Sequence, residues 1–501
     1  MKRLDQLTFT RFLMIILVLF YHDDGGVIFD FLSQLPFSEL LRSAPTAVSY
    51  LYVLSGFVMA LVYFRPNEKF DIAGYWRARV IRIYPLYLIA FLLTCYFYAD
   101  SILRIKPQKI LANIFVVQAW IPSYSQSFNY ASWSMTVEFF FYAIFPFFTI
   151  WAYKQSTKKL ISFSIVLWVI SQLIHHIFWI RYFPENQGFI VYSPVFHLNS
   201  FIMGVVGGIW YLREGRHQSI SVRTIFSTLL FSALFVIVYC IVSIRNPTLF
   251  PNDLQPMAGL LAPFMILFII SLSLDESRVS NILNHPALVT LGETSYAIYI
   301  LHVPIVWLFE RYLHTTASIS NPQQIFDASV IPMMIGIGLL AHFFVDQPLR
   351  NWLKKTLQKI NIPLLLLDLV IVTASVYISF RLRFDHPREF ASYQTMMRVI
   401  FYSAFFLRTA LSVYFNTLNT AVLTGNLTQM LRSVFISVTT GTIIFSVIAY
   451  IGFSIGWFEN FPRSVFLMDW AIVLSLSLLT RFLYRAWMLR SQKVLLPSSS
   501  S

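Results

Sequence analysis

The stretch Arg11-Phe-Leu-Met-Ile-Ile-Leu-Val-Leu-Phe-Tyr-His22 decides the fold class, because it is an apolar run bounded by an arginine and a histidine. On a helix the two charged or polar groups lie about 16 Å apart along the axis, roughly half the thickness of a bilayer. Ionisable groups at that depth are costly unless they face a polar cavity, so both are candidates for a functional site. The alternative is that Arg11 extends to the membrane surface and His22 contacts interfacial water.

Composition predicts an all-α polytopic membrane protein. Of 501 residues, 57% are hydrophobic and 12% are charged, whereas a soluble domain has about 25% charged residues. The mean hydropathy is +0.66. The net charge of +14 arises mainly from Lys and Arg in short loops between apolar runs, which indicates topology rather than nucleic-acid binding. We therefore expect the lipid bilayer as a partner and no nucleic acid.

Hydropathy and loop charge together predict about ten membrane-spanning helices in the first 350 residues. Residues 110–120 are too short to span and are expected to lie in the outer interface or to re-enter the membrane. The loops rich in Lys and Arg fall on the side of Lys2 and Arg3, so both ends of this block are expected in the cytoplasm. The predicted spans are residues 8–24, 46–64, 80–98, 133–152, 160–180, 194–212, 224–244, 257–273, 294–312 and 329–347.

A second apolar block follows a basic stretch that ends in Asn361-Ile-Pro363. Four further spans return the chain to the cytoplasm, and Pro497 with the terminal serines predicts a flexible tail. The expected domains are residues 1–358, residues 359–490 and a tail of residues 491–501. The four spans are residues 364–384, 396–415, 433–456 and 465–487.

Two polar groups are expected near the outer level of the first block. His22 ends the first span, and Glu138 lies in the first part of the fourth, after Trp133 and Ser134. A histidine and a carboxylate in one cavity could act as a general base and its orienting partner. The alternative is that Glu138 caps its helix or bonds an interfacial serine.

A basic group is expected at the opposite level. Arg79 and Arg82 are three residues apart and share a helix face, and arginine pairs suit phosphates because each guanidinium can donate two parallel hydrogen bonds. Arg77 is a nearby third cation. The alternative is that these arginines only fix the membrane topology. Only Cys95 and Cys240 are present, both in apolar runs, so we expect no disulfide framework and no metal at the site.

In combination and order, these motifs resemble the acyltransferase family 3 of integral membrane O-acyltransferases over about the first 350 residues. One departure is Asp346, which stands where many members have Glu and keeps the charge. The matching motifs are Arg11 with ten residues before His22, Leu54-Ser55-Gly-Phe, Arg79-x-x-Arg82, Trp133-Ser134-x-x-x-Glu138 followed by Tyr142 and Pro146, Gly292-Glu-Thr-Ser-Tyr-Ala-Ile-Tyr299-x-x-His302, and Asp346-Gln-Pro.

The resemblance implies a membrane enzyme that transfers an acyl group, most often acetyl from acetyl-CoA, to envelope carbohydrate. It implies a location in the bacterial inner membrane and an acceptor such as lipopolysaccharide, exopolysaccharide or a lipid-linked precursor. Acetyl-CoA is expected as a donor and not as a permanently bound cofactor. The implied residues are His22 and Glu138 for catalysis, Arg79, Arg82, Arg77 and Arg11 for CoA binding, and Trp133, Ser134, Ser55, Tyr299 and His302 for the substrate cavity.

The second block resembles the membrane domain of polysaccharide-biosynthesis nucleotide-sugar dehydratases and epimerases. In that family a nucleotide-binding domain follows, but no G-x-G-x-x-G is found downstream here, so sugar-modifying chemistry is not expected. The block is then either a module that docks other polysaccharide-biosynthesis proteins or guides substrate, or a passive anchor. The matching motifs are Pro363-Leu-Leu-Leu-Leu-Asp368, Phe380-Arg-Leu-Arg-Phe-Asp385, Phe461-Pro-Arg-Ser-Val465 with Asp469, and Arg481-Phe-x-Tyr-Arg485.

Two other function classes fit a bundle of many helices. A carrier would move lipid-linked sugar or acyl groups without chemistry, and a scaffold would recruit biosynthetic enzymes through the second block. A carbohydrate carrier has no need of a phosphate-binding arginine pair at one membrane level and a histidine with a glutamate at the opposite level. No internal inverted repeat is visible in the sequence, which also favours the enzyme.

Overall fold

Apolar helices account for most of the chain in the computed structural model, and eleven of the described helices are long and apolar enough to cross a membrane. The structure describes residues 4–22, 38–98, 105–246, 257–316, 321–357, 360–384, 393–454 and 461–495, with isolated residues 31, 34, 390 and 456. The chain divides into two units, Met1–Arg350 and Asn351–Ser501. The boundary expected at 358/359 is thus found at 350/351.

Each of the ten predicted spans of the first unit coincides with a helix, and the prediction of an all-α membrane protein is confirmed. Two of these helices, Gln6–His22 and Ala262–Leu274, are shorter than eighteen residues but apolar. The helices are α1 (Gln6–His22), α2 (Ala44–Tyr63), α3 (Ile72–Phe97), α4 (Pro107–Ile114), α5 (Trp133–Tyr153), α6 (Thr157–Tyr182), α7 (Gln187–Tyr192), α8 (Pro194–Arg213), α9 (Val222–Arg245), α10 (Ala262–Leu274), α11 (Arg278–Leu283), α12 (Pro286–Thr315) and α13 (Pro322–Ala341), then a π-helical turn (His342–Asp346) and α14 (Gln347–Leu357).

Local sequence explains where several helices begin. The side chain of Asp71 caps α3 by accepting the backbone N–H of Gly74 at 2.9 Å, which satisfies one of the free amides of the first turn. Proline occupies the first turn of α2, α8, α12 and α13, where its missing N–H costs no hydrogen bond. The span expected from residue 257 begins only at Ala262, because Ala258 and Gly259 both have positive φ and interrupt the helix.

The segment 110–120 is too short to span, as the sequence predicts. It forms the end of α4 and a 3-10 turn at Gln118–Trp120. Two hydrogen bonds hold it inside the protein: the Tyr87 hydroxyl donates to the carbonyl of Asn113 at 2.6 Å, and the Gln118 amide donates to the carbonyl of Ser132 at 3.1 Å. These bonds attach the segment to α3 and to the residues that lead into α5.

Small residues allow two pairs of helices to approach closely. A Cβ atom on Gly56 of α2 would lie 2.1 Å from the carbonyl oxygen of Phe201, and one on Gly204 of α8 would lie 2.0 Å from that of Val53. Small residues at helix crossings are a common device of membrane proteins. Gly292 of α12 similarly contacts the backbone of Thr8 in α1. This second contact sets α1 beside α12, the two helices that carry His22 and His302.

A helix coincides with each of the four spans predicted for the second unit, and three of these helices are among the eleven that could cross a membrane, whereas the helix Gln394–Tyr414 is not. The four helices are α15 (Ile362–Arg383), α16 (Gln394–Tyr414), α18 (Leu427–Ser454) and α19 (Arg463–Leu495), with a short α17 (Thr420–Thr424) before the third. The flexible tail is expected from residue 491, whereas α19 continues through Leu495. Residues 496–501 lie outside the described part of the chain.

Two buried ion pairs cross the second unit. Arg408 donates to Asp469 at 2.7 Å, and the Ser375 hydroxyl donates to the same carboxylate at 2.6 Å. Arg481 pairs with Asp368. Charges inside a membrane span are tolerated when they are paired. Three of the residues in the quoted motifs, Asp368, Asp469 and Arg481, therefore connect the helices of this unit to one another.

Candidate active site

A cavity of about 720 Å³ lies inside the first unit between α1, α2, α3, α5 and α12. This size is typical of small-molecule sites. One end is near Leu4 and Arg65, at the side of the bundle where α1 begins, and the other end is at Ser134 and Tyr299. Of the residues predicted for the site, those that line the cavity are Arg11, Ser55, Arg79, Arg82, Ser134, Glu138 and Tyr299.

Arg79 is held in place by the residues around it. One guanidinium nitrogen donates to the Tyr63 hydroxyl at 2.8 Å, and another lies 3.4 Å from the Met59 sulfur. The guanidinium also stands 5.1 Å from the centre of the Tyr63 ring and 5.8 Å from that of Tyr142. A fixed guanidinium loses less conformational entropy when it binds a ligand.

Arg82 lines the same cavity and has an exposed side chain. Its position follows from the spacing, because residues three apart lie on one helix face. Arg77 does not line the cavity. Two residues correspond to about 200° around a helix, so Arg77 points away from Arg79. The structure therefore does not support the expected third cation at this position, whereas Arg65, which the sequence analysis did not assign, lines the cavity.

Glu138 lies among the arginines. The Tyr142 hydroxyl donates to its carboxylate at 3.1 Å, and Arg82, Arg11 and Arg79 are within electrostatic range. The expected pairing of Glu138 with His22 is not what the structure shows. Glu138 is five residues into α5, about 7.5 Å below its start, and this depth brings it to the level of the cations. Its carboxyl group therefore shares the cavity wall with Arg11, Arg79 and Arg82.

His22 lies at the end of α1 in an aromatic surrounding. Its ring centre is 4.8 Å from that of Tyr130, 5.1 Å from that of Tyr21 and 5.4 Å from that of His302. The side chain of His22 is exposed, whereas that of His302 is buried. His22 does not itself line the cavity.

Tyr299 connects the cavity to the two histidines. Its hydroxyl is 2.7 Å from the Ser134 hydroxyl, and its ring centre is 5.9 Å from that of His302. Ser134 and Tyr299 both line the cavity, and the ring centre of His302 is 5.4 Å from that of His22. Contacts between side chains thus connect the cavity wall to His22 through Tyr299 and His302.

Trp133 faces a different part of the unit. Its ring packs 5.0 Å from Tyr192 and 5.3 Å from His197. Consecutive helical residues differ by about 100° in direction, so Ser134 faces the cavity and Trp133 faces α7 and α8. The structure does not support Trp133 as a cavity residue.

Tyrosines of the cavity wall are the main functional candidates to which the sequence patterns assign no role. Tyr52, Tyr142 and Tyr296 all line the cavity. The Tyr296 hydroxyl donates to the carbonyl of Ile83 at 2.6 Å, which joins α12 to α3. The four-residue spacing of Glu138 and Tyr142 was a usable signal, because such residues are neighbours on a helix.

The arrangement offers guanidinium groups at one end of a cavity and imidazoles beyond the other, with hydroxyls between them. Guanidinium groups bind phosphates, and an imidazole can accept a proton from a hydroxyl. Among the described residues, no group of three or more His, Cys, Asp or Glu is placed to hold a metal ion.

Comparison with known proteins agrees with this architecture. The model of an acyltransferase domain matches residues 4–343, a range that contains every cavity residue. The acyltransferase MdmB of Streptomyces mycarofaciens is 25% identical over 323 residues, 60% of this chain and 80% of MdmB. The O-acetyltransferase OatA of Staphylococcus aureus is 22% identical over 338 residues, 63% of this chain and 54% of OatA. The chain thus spans about half the length of OatA, and no solved structure matches.

Proposed function

The chain belongs to the membrane acyltransferase family whose domain matches residues 4–343, and on that premise we propose that it is an O-acetyltransferase of a surface or exported polysaccharide. The acceptor is a hydroxyl of the polysaccharide or of its lipid-linked precursor. The donor is acetyl-CoA on the cytoplasmic side of the bacterial inner membrane, where both termini lie. The observation that carries the proposal is the cavity that is lined by Arg11, Arg79 and Arg82 and also by Tyr299, whose ring centre lies 5.9 Å from that of His302.

The arginine end of the cavity suits the phosphates of CoA. Arg79 is pre-oriented by Tyr63, and Arg82 presents its guanidinium to the cavity. The pantetheine arm would then extend toward Ser134 and Tyr299, and place the thioester near His22. Glu138 keeps the arginines from repelling one another while the donor is absent.

His22 supplies the base in this proposal. Its ring takes the proton of the acceptor hydroxyl, and the hydroxyl oxygen attacks the thioester carbonyl. The carbon–sulfur bond then breaks, and the CoA thiolate leaves with the proton from His22. In a second route the His22 nitrogen attacks the thioester carbonyl and the CoA thiolate leaves; the acceptor hydroxyl then attacks that acetyl group, the carbon–nitrogen bond breaks, and the thiolate takes the hydroxyl proton. Both routes need an unprotonated nitrogen on His22.

The proposed function is tested by comparing the polysaccharide of strains that have and lack the chain. We expect mass spectrometry to find O-acetyl groups only when the chain is present, and to find them restored by a plasmid copy. A matched strain with the His22→Ala copy controls for effects of the membrane protein itself. Equal acetylation in all strains would show that the chain does not acetylate this polymer.

The role of the second unit is tested by truncation. A chain ended after Lys359 keeps α14 and every residue proposed for chemistry, because all of them precede residue 346. We expect it to retain acetylation close to that of the full chain, measured per amount of protein in the membrane. If the second unit delivers or aligns the carbohydrate, the truncated chain will bind donor normally and lose transfer, which would contradict the passive-anchor proposal.

A further inference from the structure

A histidine that acts as a base needs a partner that fixes which ring nitrogen carries the proton. The carboxylate expected in that place, Glu138, lies with the arginines and Tyr142. The imidazole that packs beside His22 is His302, with ring centres 5.4 Å apart and planes inclined by 24°. His302 therefore occupies the position where an orienting partner is required.

The proton position on His302 follows from its own hydrogen bond. Nδ1 of His302 is 2.6 Å from the carbonyl oxygen of Tyr299. A carbonyl oxygen only accepts, so Nδ1 must carry the hydrogen, and in the neutral ring Nε2 has a free lone pair. His302 is 2% exposed. Its Nε2 is buried without a hydrogen-bond partner among the described residues, and such an acceptor is normally paired.

The surroundings keep the two imidazoles together. The ring of Tyr130 lies 4.8 Å from His22 and 6.2 Å from His302, so it packs against both. The helices that carry them are in contact near their beginnings, where Gly292 touches Thr8. The hydrogen bond to the Tyr299 carbonyl fixes the ring of His302.

We propose that His302 is a positioning residue for His22. When both substrates are bound, His22 donates a ring N–H to the free Nε2 of His302. This rests on the proposed function. The bond leaves the other nitrogen of His22 unprotonated and directed at the acceptor hydroxyl. When that nitrogen takes the proton, His22 becomes an imidazolium that His302 stabilises without losing or gaining a proton. The CoA thiolate then removes the proton that His22 took from the acceptor hydroxyl, and the hydrogen bond from His22 to Nε2 of His302 remains.

Two variants of His302 test the roles of its two ring nitrogens separately. In His302→Asn the amide N–H can still donate to the Tyr299 carbonyl, but no atom reaches the place of Nε2. In His302→Gln the amide oxygen reaches that place and can accept. We expect the Asn variant to lower kcat about 10–100-fold, the loss typical for partners that orient metal-bound histidines, with the KM for acetyl-CoA unchanged. The Gln variant should recover most of the lost kcat.

His175→Asn is the matched control. His175 is also buried in the first unit, where it packs against Trp179 and Phe196, and this variant should keep full activity. Rates are normalised to the amount of folded protein in the membrane. The proposal is overturned if His302→Asn keeps the wild-type kcat, or if the Asn and Gln variants are equally impaired, which indicates packing alone. If the His302 proposal fails but His22→Ala is inactive in the same assay, the proposed function still stands. If His22→Ala is active, His22 is not the base and the proposed mechanism fails as well.

Discussion

Replacing His22 by alanine is expected to abolish acetyl transfer, with a loss of about a hundredfold to ten-thousandfold or more, the range for removal of a general base. Insertion should not suffer, because the change removes a polar group from an apolar span. Donor binding should persist, since Arg79 and Arg82 line the cavity and His22 does not. The measurement is labelled acetyl transferred per amount of protein in the membrane.

The control for this variant is His314→Ala, which removes a histidine from the exposed end of α12. It should transfer acetyl at the wild-type rate. A His22→Ala chain that still acetylates at that rate would take His22 out of the reaction. A chain that loses donor binding together with transfer would instead indicate that His22 supports the fold of the cavity.

Replacing Arg79 or Arg82 by lysine is expected to raise the KM for acetyl-CoA about tenfold or more while kcat changes little. Lysine keeps the charge but cannot donate two parallel bonds to a phosphate. At position 79 it also loses the planar contacts with the rings of Tyr63 and Tyr142. Initial rates against acetyl-CoA concentration measure both constants.

Arg77→Lys distinguishes the sequence-based expectation from the geometry. The sequence places Arg77 with the CoA-binding cations, so its replacement should raise the KM for acetyl-CoA, whereas the structure turns Arg77 away from the cavity and predicts an unchanged KM.

An unchanged KM for acetyl-CoA in both the Arg79 and Arg82 variants would contradict donor binding at this end of the cavity. These arginines would then have a role in membrane topology only.

The helices were predictable because each depends on a local property. Apolar runs of the length of a bilayer and the charges between them locate the spans, and the three-residue spacing of Arg79 and Arg82 places both on one face. The directions of Arg77 and Trp133 could also have been derived, since their angular offsets from Arg79 and Ser134 are fixed by the helix. The break at Ala258 and Gly259 could also have been derived, since Gly259 and Pro263 are local signals for a helix start after it.

The pairing of side chains between helices was not predictable, because it depends on depth and rotation rather than on spacing along the chain. Glu138 was assigned to His22 from an approximate level, and a difference of about five residues brought it to the arginines instead. His302 shares no local pattern with His22, since the two lie on α1 and α12. Likewise, Asp469 and Arg408 are far apart in sequence and meet only in the folded second unit.

The central claim, that one cavity carries an acetyl group from donor phosphates to an acceptor beside His22, is tested most directly in sealed liposomes that contain the purified full-length chain. Acetyl-labelled CoA is placed on one side, and polysaccharide from the strain that lacks the chain is placed on the other. We predict that label appears in the polysaccharide when the donor is on the side of Arg79, and that the His22→Ala protein gives none. Absence of label with folded wild-type protein in either orientation, or equal labelling by His22→Ala, would contradict the claim.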